Sequence, residues 1–129
     1  MDRQDMLHGS CLCGGVAFHA QLTPGSPPAV SHCFCTMCQK FHGAAGGSFI
    51  DVPTSGYTVE RGADLITEYV SSEQGRRGFC KTCGSSLYWR SEAEPAIIEL
   101  SLGLMQPPWT GTIEREVYVE TKPTWTPHR

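Results

Sequence analysis

No apolar run in this chain is long enough to cross a bilayer, and its first residues, Met1-Asp2-Arg3-Gln4-Asp5, are polar where a secretory signal needs a hydrophobic stretch. A soluble protein of the cytoplasm is therefore expected. Positive charge is not in excess either: 10 Lys and Arg face 13 Asp and Glu, for a formal net charge of -3. A basic face able to neutralise duplex phosphates is not expected, so neither nucleic acid nor a membrane is an expected partner. No repeat or linker interrupts the sequence. Its 14 glycines and 9 prolines are spread along it, the pattern of many short elements joined by turns. At 129 residues and 40% hydrophobic content, the chain suits one domain over residues 1–129 that buries roughly two-thirds of its unfolded surface.

What the chain does have is cysteine, in three tight groups: Cys11-Leu12-Cys13, Cys33-Phe34-Cys35-Thr36-Met37-Cys38 and Cys80-Lys81-Thr82-Cys83. Thiolates one or two residues apart on a turn converge on one ion, and a tetrahedral structural zinc needs two such pairs. A reducing compartment keeps thiols free, which favours metal over disulfide, and an odd count leaves one thiol unpaired; disulfides are the reading only for an exported protein. The spacing thus points to two zinc ions per chain, one on a complete four-sulfur set and one on a three-sulfur set.

Between these groups the sequence reads as mainly β. Val16, Phe18, Ala20 and Leu22 alternate with smaller or polar residues after the Gly14-Gly15 turn, the period of a half-buried strand. Ser48 to Val52, Tyr57 to Arg61, Leu65 to Val70, Ser86 to Arg90, Ile97 to Leu102 and Glu116 to Glu120 are further short strands bounded by turn residues. Thr36-Met37-Cys38-Gln39 fits a capping box, so one short helix is expected to start there, run through Lys40, Phe41 and His42, and stop near Gly43 or the Gly46-Gly47 pair. Cys38 falls in its first turn, where unpaired amides favour thiolate over thiol.

Cys80 and Cys83, followed by Gly84, form a knuckle, and pairing it with Cys11 and Cys13 would tie the beginning of the chain to a distant hairpin. That leaves Cys33, Cys35 and Cys38 as three ligands with one open position, the way zinc is held when it does chemistry; a thiol bound there would lose its proton and be able to attack a small carbonyl. The plainer alternative is that His32, His42 or a carboxylate such as Glu73 closes the site. Lys40, Arg76, Arg77 and Lys81 flank the cysteines, either as a solvated face or as partners for the carboxylates of an acidic thiol. Phe34, Phe41, Phe79, Tyr88 and Trp89 are candidates for core or for a pocket wall, whereas Trp109 and Trp125 carry no separate signal.

Gly9-Ser10-Cys11-Leu12-Cys13-Gly14-Gly15-Val16, Cys33-Phe34-Cys35-Thr36-Met37-Cys38-Gln39-Lys40, Phe79-Cys80-Lys81-Thr82-Cys83-Gly84-Ser85-Ser86-Leu87 and Lys122-Pro123-Thr124-Trp125 together make the chain resemble the glutathione-dependent formaldehyde-activating enzyme family from Gly9 to Trp125. The resemblance implies an Mss4-like fold of folded antiparallel β-sheets. It also implies a structural zinc on Cys11, Cys13, Cys80 and Cys83 and a catalytic zinc on Cys33, Cys35 and Cys38. The implied activity is that of a carbon-sulfur lyase working as an S-(hydroxymethyl)glutathione synthase, joining glutathione to formaldehyde. Phe34 and Gln39 stand where many members carry histidine and arginine. Two other functions compete. A non-catalytic, zinc-stabilised binding module is one, since Mss4-like folds also partner small GTPases. Methionine sulfoxide reduction is the other, but it needs a free cysteine nucleophile, and no cysteine follows Cys83.

Overall fold

A computed structural model describes residues 5–127. Its elements in chain order are β1 (Met6–Ser10), β2 (Ala17–Gln21), β3 (Ala29–Cys33), α1 (Thr36–His42), β4 (Gly47–Pro53), β5 (Tyr57–Arg61), β6 (Ile66–Val70), β7 (Gly75–Cys80), β8 (Ser86–Ser91), β9 (Ile97–Ser101) and β10 (Arg115–Val117), with short 3-10 turns between several of them. The protein is mainly β with one α-helix among the described residues, as the sequence leads one to expect. A three-stranded sheet has the order β1-β2-β5, and a seven-stranded sheet the order β10-β3-β4-β9-β8-β7-β6. All pairings are antiparallel except β10 on β3.

The alternation read from Val16 to Leu22 is what joins the sheets. Val16, Phe18, Ala20 and Leu22 are all buried and meet Val30, Ile50, Val52, Ile98 and Leu100 of the larger sheet. Each such aliphatic or aromatic side chain stabilises the fold by about 1.5–3 kcal/mol relative to exposure. Because side chains alternate across a strand, the residues between these point away from the core. Ser31, Phe49, Asp51, Glu99 and Ser101 lie on that second face by this alternation, and α1 covers part of it, His42 meeting Phe49 edge-on at 5.6 Å between ring centres. The larger sheet is thus a partition with the hydrophobic core on one side and the helix on the other.

Three strands were not expected. β1, β3 and β7, with sequences MLHGS, AVSHC and GRRGFC, are short of the branched and aromatic side chains that mark strands. β3 and β7 are held between two neighbours each, so pairing overrides a weak local preference. The last strand also differs from the expected Glu116 to Glu120. It ends at Val117, because Tyr118 takes a left-handed conformation (φ 57°) and a 3-10 turn follows over Val119–Thr121.

Candidate metal centres

The seven sulfurs gather into two groups, Cys11, Cys13, Cys80 and Cys83 in one and Cys33, Cys35 and Cys38 in the other, with the ligand atoms of each group within 4.8 Å of one another. All seven are free cysteines. In the four-sulfur group Cys11 Sγ lies 3.6 Å from Cys13 Sγ, which in turn lies 3.9 Å from Cys80 Sγ. A disulfide needs about 2.05 Å. A tetrahedral zinc with bonds of about 2.3 Å separates its sulfurs by about 3.8 Å. The spacing fits the ion and excludes the covalent bond.

Two matching turns build this group. Gly14 N–H donates to the Cys11 carbonyl at 3.0 Å and Gly84 N–H to the Cys80 carbonyl at 2.7 Å. Both glycines have positive φ, 77° and 81°, a conformation that side chains with a Cβ seldom take. Backbone amides then point at sulfur, Gly15 N–H to Cys13 Sγ at 3.4 Å and Val16 N–H to Cys11 Sγ at 3.3 Å. Leu12 N–H donates to Ser85 Oγ at 2.9 Å and locks one turn onto the other. The Ser85 hydroxyl and backbone bring the Cys83 thiol down to about 5. Donors aimed at sulfur are what a set of bound thiolates requires.

The three-sulfur group is built differently. Cys33 closes β3, and Cys35 rather than Thr36 caps α1, its Sγ accepting from Cys38 N–H at 3.3 Å. The expected capping box is therefore corrected. The sulfur takes the place a threonine hydroxyl would fill, and Thr36 becomes the first helical residue. Gln39, expected to reach back to that cap, instead donates through Nε2 to the Phe34 carbonyl at 2.9 Å and to the Thr121 carbonyl at 2.9 Å. Thr121 Oγ1 donates to the same Phe34 carbonyl at 2.7 Å, and Phe34 N–H donates to the Val117 carbonyl at 3.0 Å. The peptide between Cys33 and Cys35 is thereby clamped by the strap that runs from β10 to Lys122, whose Nζ sits 5.0 Å from the Phe34 ring centre. The helix ends at the first of its two expected stops, Gly43, which takes the left-handed conformation.

Among the described residues, no histidine or carboxylate joins the three sulfurs as a further ligand atom. His32 Nδ1 bonds Ser48 Oγ at 2.8 Å, His42 is boxed between Phe41 and Phe49, and Glu73 is exposed. Burial holds His42 below the ordinary imidazole range, with Arg77 adding to the effect. Cys38 is 3% exposed, while Cys33 and Cys35 are partly open to solvent. Hydrogen bonding from Cys33 brings the Cys38 thiol down to about 6 against the effect of burial, and the Arg77 guanidinium helps. Its partner Cys33 is pushed up correspondingly.

The flanking cations divide. Lys40 and Lys81 are exposed, as a solvated face would be. Arg76 pairs with Glu92 at 3.5 Å and donates to the carbonyls of Ser72, Glu73 and Gly75. Arg77 belongs to no solvated face: it is 3% exposed, and its Nη1 donates to Cys38 Sγ at 3.5 Å. Of the aromatics, Phe34 and Tyr88 are buried, and Phe41 contacts Phe79 edge-on at 6.3 Å beneath the helix. One group escaped the sequence reading altogether. Glu99 stands opposite Asp51 in the β4–β9 ladder, and burial, together with the negative charges of Asp51 and Cys38, pushes its carboxyl up to about 7. Nothing local in Ile97–Ser101 signals this, since the effect comes from a neighbouring strand and from the helix.

Fold and site together define a mainly β protein with two thiol clusters of metal-binding spacing, one with four sulfurs and one with three. The model of the family described as "Glutathione-dependent formaldehyde-activating enzyme" matches residues 6–121, and the chain belongs to that family. A Halomonas elongata protein named "Putative glutathione-dependent formaldehyde-activating enzyme" is 30% identical over 132 residues, covering 93% of this chain and 79% of the relative. The crystal structure of a Rhodobacter sphaeroides protein shares the fold with a TM-score of 0.70 at 21% identity, covering 85% of this chain and 99% of that one. No helix of the described residues is long and apolar enough to cross a membrane.

Proposed function

We propose that this chain is a zinc-dependent carbon-sulfur lyase that joins a small thiol to a small aldehyde, glutathione and formaldehyde being the pair the family name suggests. On this reading it is a single Mss4-like domain of the cytoplasm. Cys11, Cys13, Cys80 and Cys83 hold a structural zinc, and Cys33, Cys35 and Cys38 hold a catalytic one. The observation that carries the reading is the asymmetry of the clusters: four sulfurs close one tetrahedron, whereas three converge at the other with no fourth protein ligand among the described residues.

Bound by three cysteines, zinc would lower the pKa of an incoming thiol and present it as a thiolate at neutral pH. The chain's own residues supply the rest. Cys35 and Cys38 are fixed to one another through the helix cap, and the Phe34 peptide is fixed to the strap by Gln39 and Thr121, so the sulfurs keep their positions as a ligand comes and goes. Cys38 is buried in the first turn of the helix, leaving Cys33 and Cys35 as the accessible edge. Addition forms one carbon-sulfur bond: the thiolate electron pair attacks the carbonyl carbon, the carbonyl π pair moves to oxygen, and that oxygen takes a proton. The thiol has already given up one proton, so the sum of thiol and aldehyde is the hydroxymethyl thioether.

Exchange NMR of formaldehyde with glutathione, with and without the protein, tests the substrate pair. Acceleration over the spontaneous rate is expected, and its absence removes that pair. Metal analysis after mild chelation tests the class: one ion that leaves easily beside one that resists fits catalysis, whereas two equally resistant ions favour a binding module.

A further inference from the structure

We propose that Arg77 is the buried countercharge of the three-cysteine site and makes it select an anionic sulfur ligand over a neutral one, an inference that rests on the zinc-thiol reading above. A guanidinium keeps its proton at any working pH, so Arg77 is a fixed positive charge. It is 3% exposed, and none of the ion pairs among the described residues includes it. Its Nη1 faces Cys38 Sγ at 3.5 Å, its central carbon lies 5.4 Å from the centre of the Phe41 ring, and its Nε is buried without a partner.

Burying a cation with no carboxylate beside it is costly, and an apolar side chain of the same length would pack in its place without that cost. The nearby negative charge is sulfur. Arg77 and Cys80 are three positions apart on β7, an odd step that sends them to opposite faces of the sheet. Cys80 therefore joins the four-sulfur cluster beside the core, and Arg77 reaches the other cluster under the helix.

Charge counting gives the consequence. Three thiolates around a divalent ion carry a net charge of about -1, and the guanidinium brings the whole to neutrality. A fourth ligand that arrives as a thiolate then leaves the assembly singly rather than doubly negative. A neutral ligand such as water or imidazole changes no charge, and Arg77 should be indifferent to it. Selectivity between anionic and neutral ligands is a property that mere packing would not produce.

The test uses the cobalt-substituted protein, whose visible spectrum responds to the fourth ligand at an open site and not at a closed one. Wild type, Arg77→Met and Arg77→Lys are titrated with 2-mercaptoethanol, which binds as its thiolate, and with imidazole; neither probe has a carboxylate for arginine to grip. Arg77→Met is expected to weaken thiolate binding by about tenfold or more and imidazole binding by less than about twofold, with Arg77→Lys close to wild type. Equal weakening of both ligands, or of neither, overturns the inference. Urea unfolding checks that each variant is folded, and Arg77→Gln replaces Arg77→Met in the same titration if the latter does not fold. Wild type taking up a single cobalt per chain defeats the zinc-thiol reading itself. Two cobalts with no thiolate-imidazole split in the variants defeat only the role of Arg77.

Discussion

The two cysteine clusters use the same chemistry on opposite sides of one sheet, and they differ in the span of chain that builds them and in the charge beside them. The four-sulfur cluster borders the hydrophobic core, with Cys11 and Cys80 buried at 3% and 0% exposure, and joins turns nearly seventy residues apart, Cys13 to Cys80 being a separation of 67. Its donors are backbone amides and a serine, all neutral. The three-sulfur cluster draws its ligands from a span of six positions, Cys33 to Cys38, and has a full positive charge behind it. Both clusters reach solvent through two members, Cys13 and Cys83 in one and Cys33 and Cys35 in the other. A metal that closes a long loop contributes to folding; one held within a single strand-to-helix turn leaves the fold less dependent on it.

The sharpest way to break this comparison is to remove one sulfur from each cluster. Cys80→Ser is expected to cost more than about 5 kcal/mol, enough to leave the chain unfolded, because structural zinc binding is itself folding free energy. Loss of cooperative urea unfolding and of zinc from that variant would show it. Cys35→Ser should keep the fold, retain one zinc and lose about a hundredfold or more in exchange catalysis. A Cys35→Ser protein that unfolds as readily as Cys80→Ser would erase the distinction between the clusters.

A finer probe is the strap. Gln39→Leu returns the exposed Thr121 carbonyl to water and removes one of two side-chain donors from the Phe34 carbonyl; at about 0.5–1.5 kcal/mol for each hydrogen bond it is expected to cost about 1–3 kcal/mol. The loss should fall on affinity for the second metal more than on the unfolding midpoint of the one-zinc form, read by competition with a chromophoric chelator. Equal losses in both would mean that the strap supports the whole fold and not the cluster.

The smallest expected effect lies next to the cluster. Glu99, pushed up to about 7 from an ordinary 4.5 by burial and by the charges of Asp51 and Cys38, stays protonated in the fold where the unfolded chain has released its proton. Its stabilising contribution is complete below pH 4.5 and is lost as the pH rises through about 7. Glu99→Gln should flatten that decline by about 1–2 kcal/mol, allowing for partial solvent screening, as measured by urea unfolding at the two ends of the window. A decline of unchanged steepness in the variant would assign it to other groups.

Spacing alone was enough to divide the cysteines into four and three, because ligands one or two residues apart share a turn and tetrahedral sulfur sites are assembled from pairs. The period of two from Val16 to Leu22 likewise marked the strand that closes the core, since burial on one face leaves its trace in the sequence whatever the rest of the fold does. Gly14 and Gly84 after their cysteines, and Gly43 after the helix, announced turns for a reason local to each residue.

Other features existed only once strands from distant parts of the chain were side by side. β3 and β7 are strands because their neighbours make them so, and Gln39 found one of its two partners on the strap, at the Thr121 carbonyl. Arg77 reads as one more surface cation until the pleat of β7 turns it under α1 and onto Cys38, and Glu99 as an ordinary acid until β4 sets Asp51 beside it. Which atoms bind is a matter of residue type and local spacing; the charge and the degree of exposure around them are fixed by contacts between distant segments, which only the folded chain brings together.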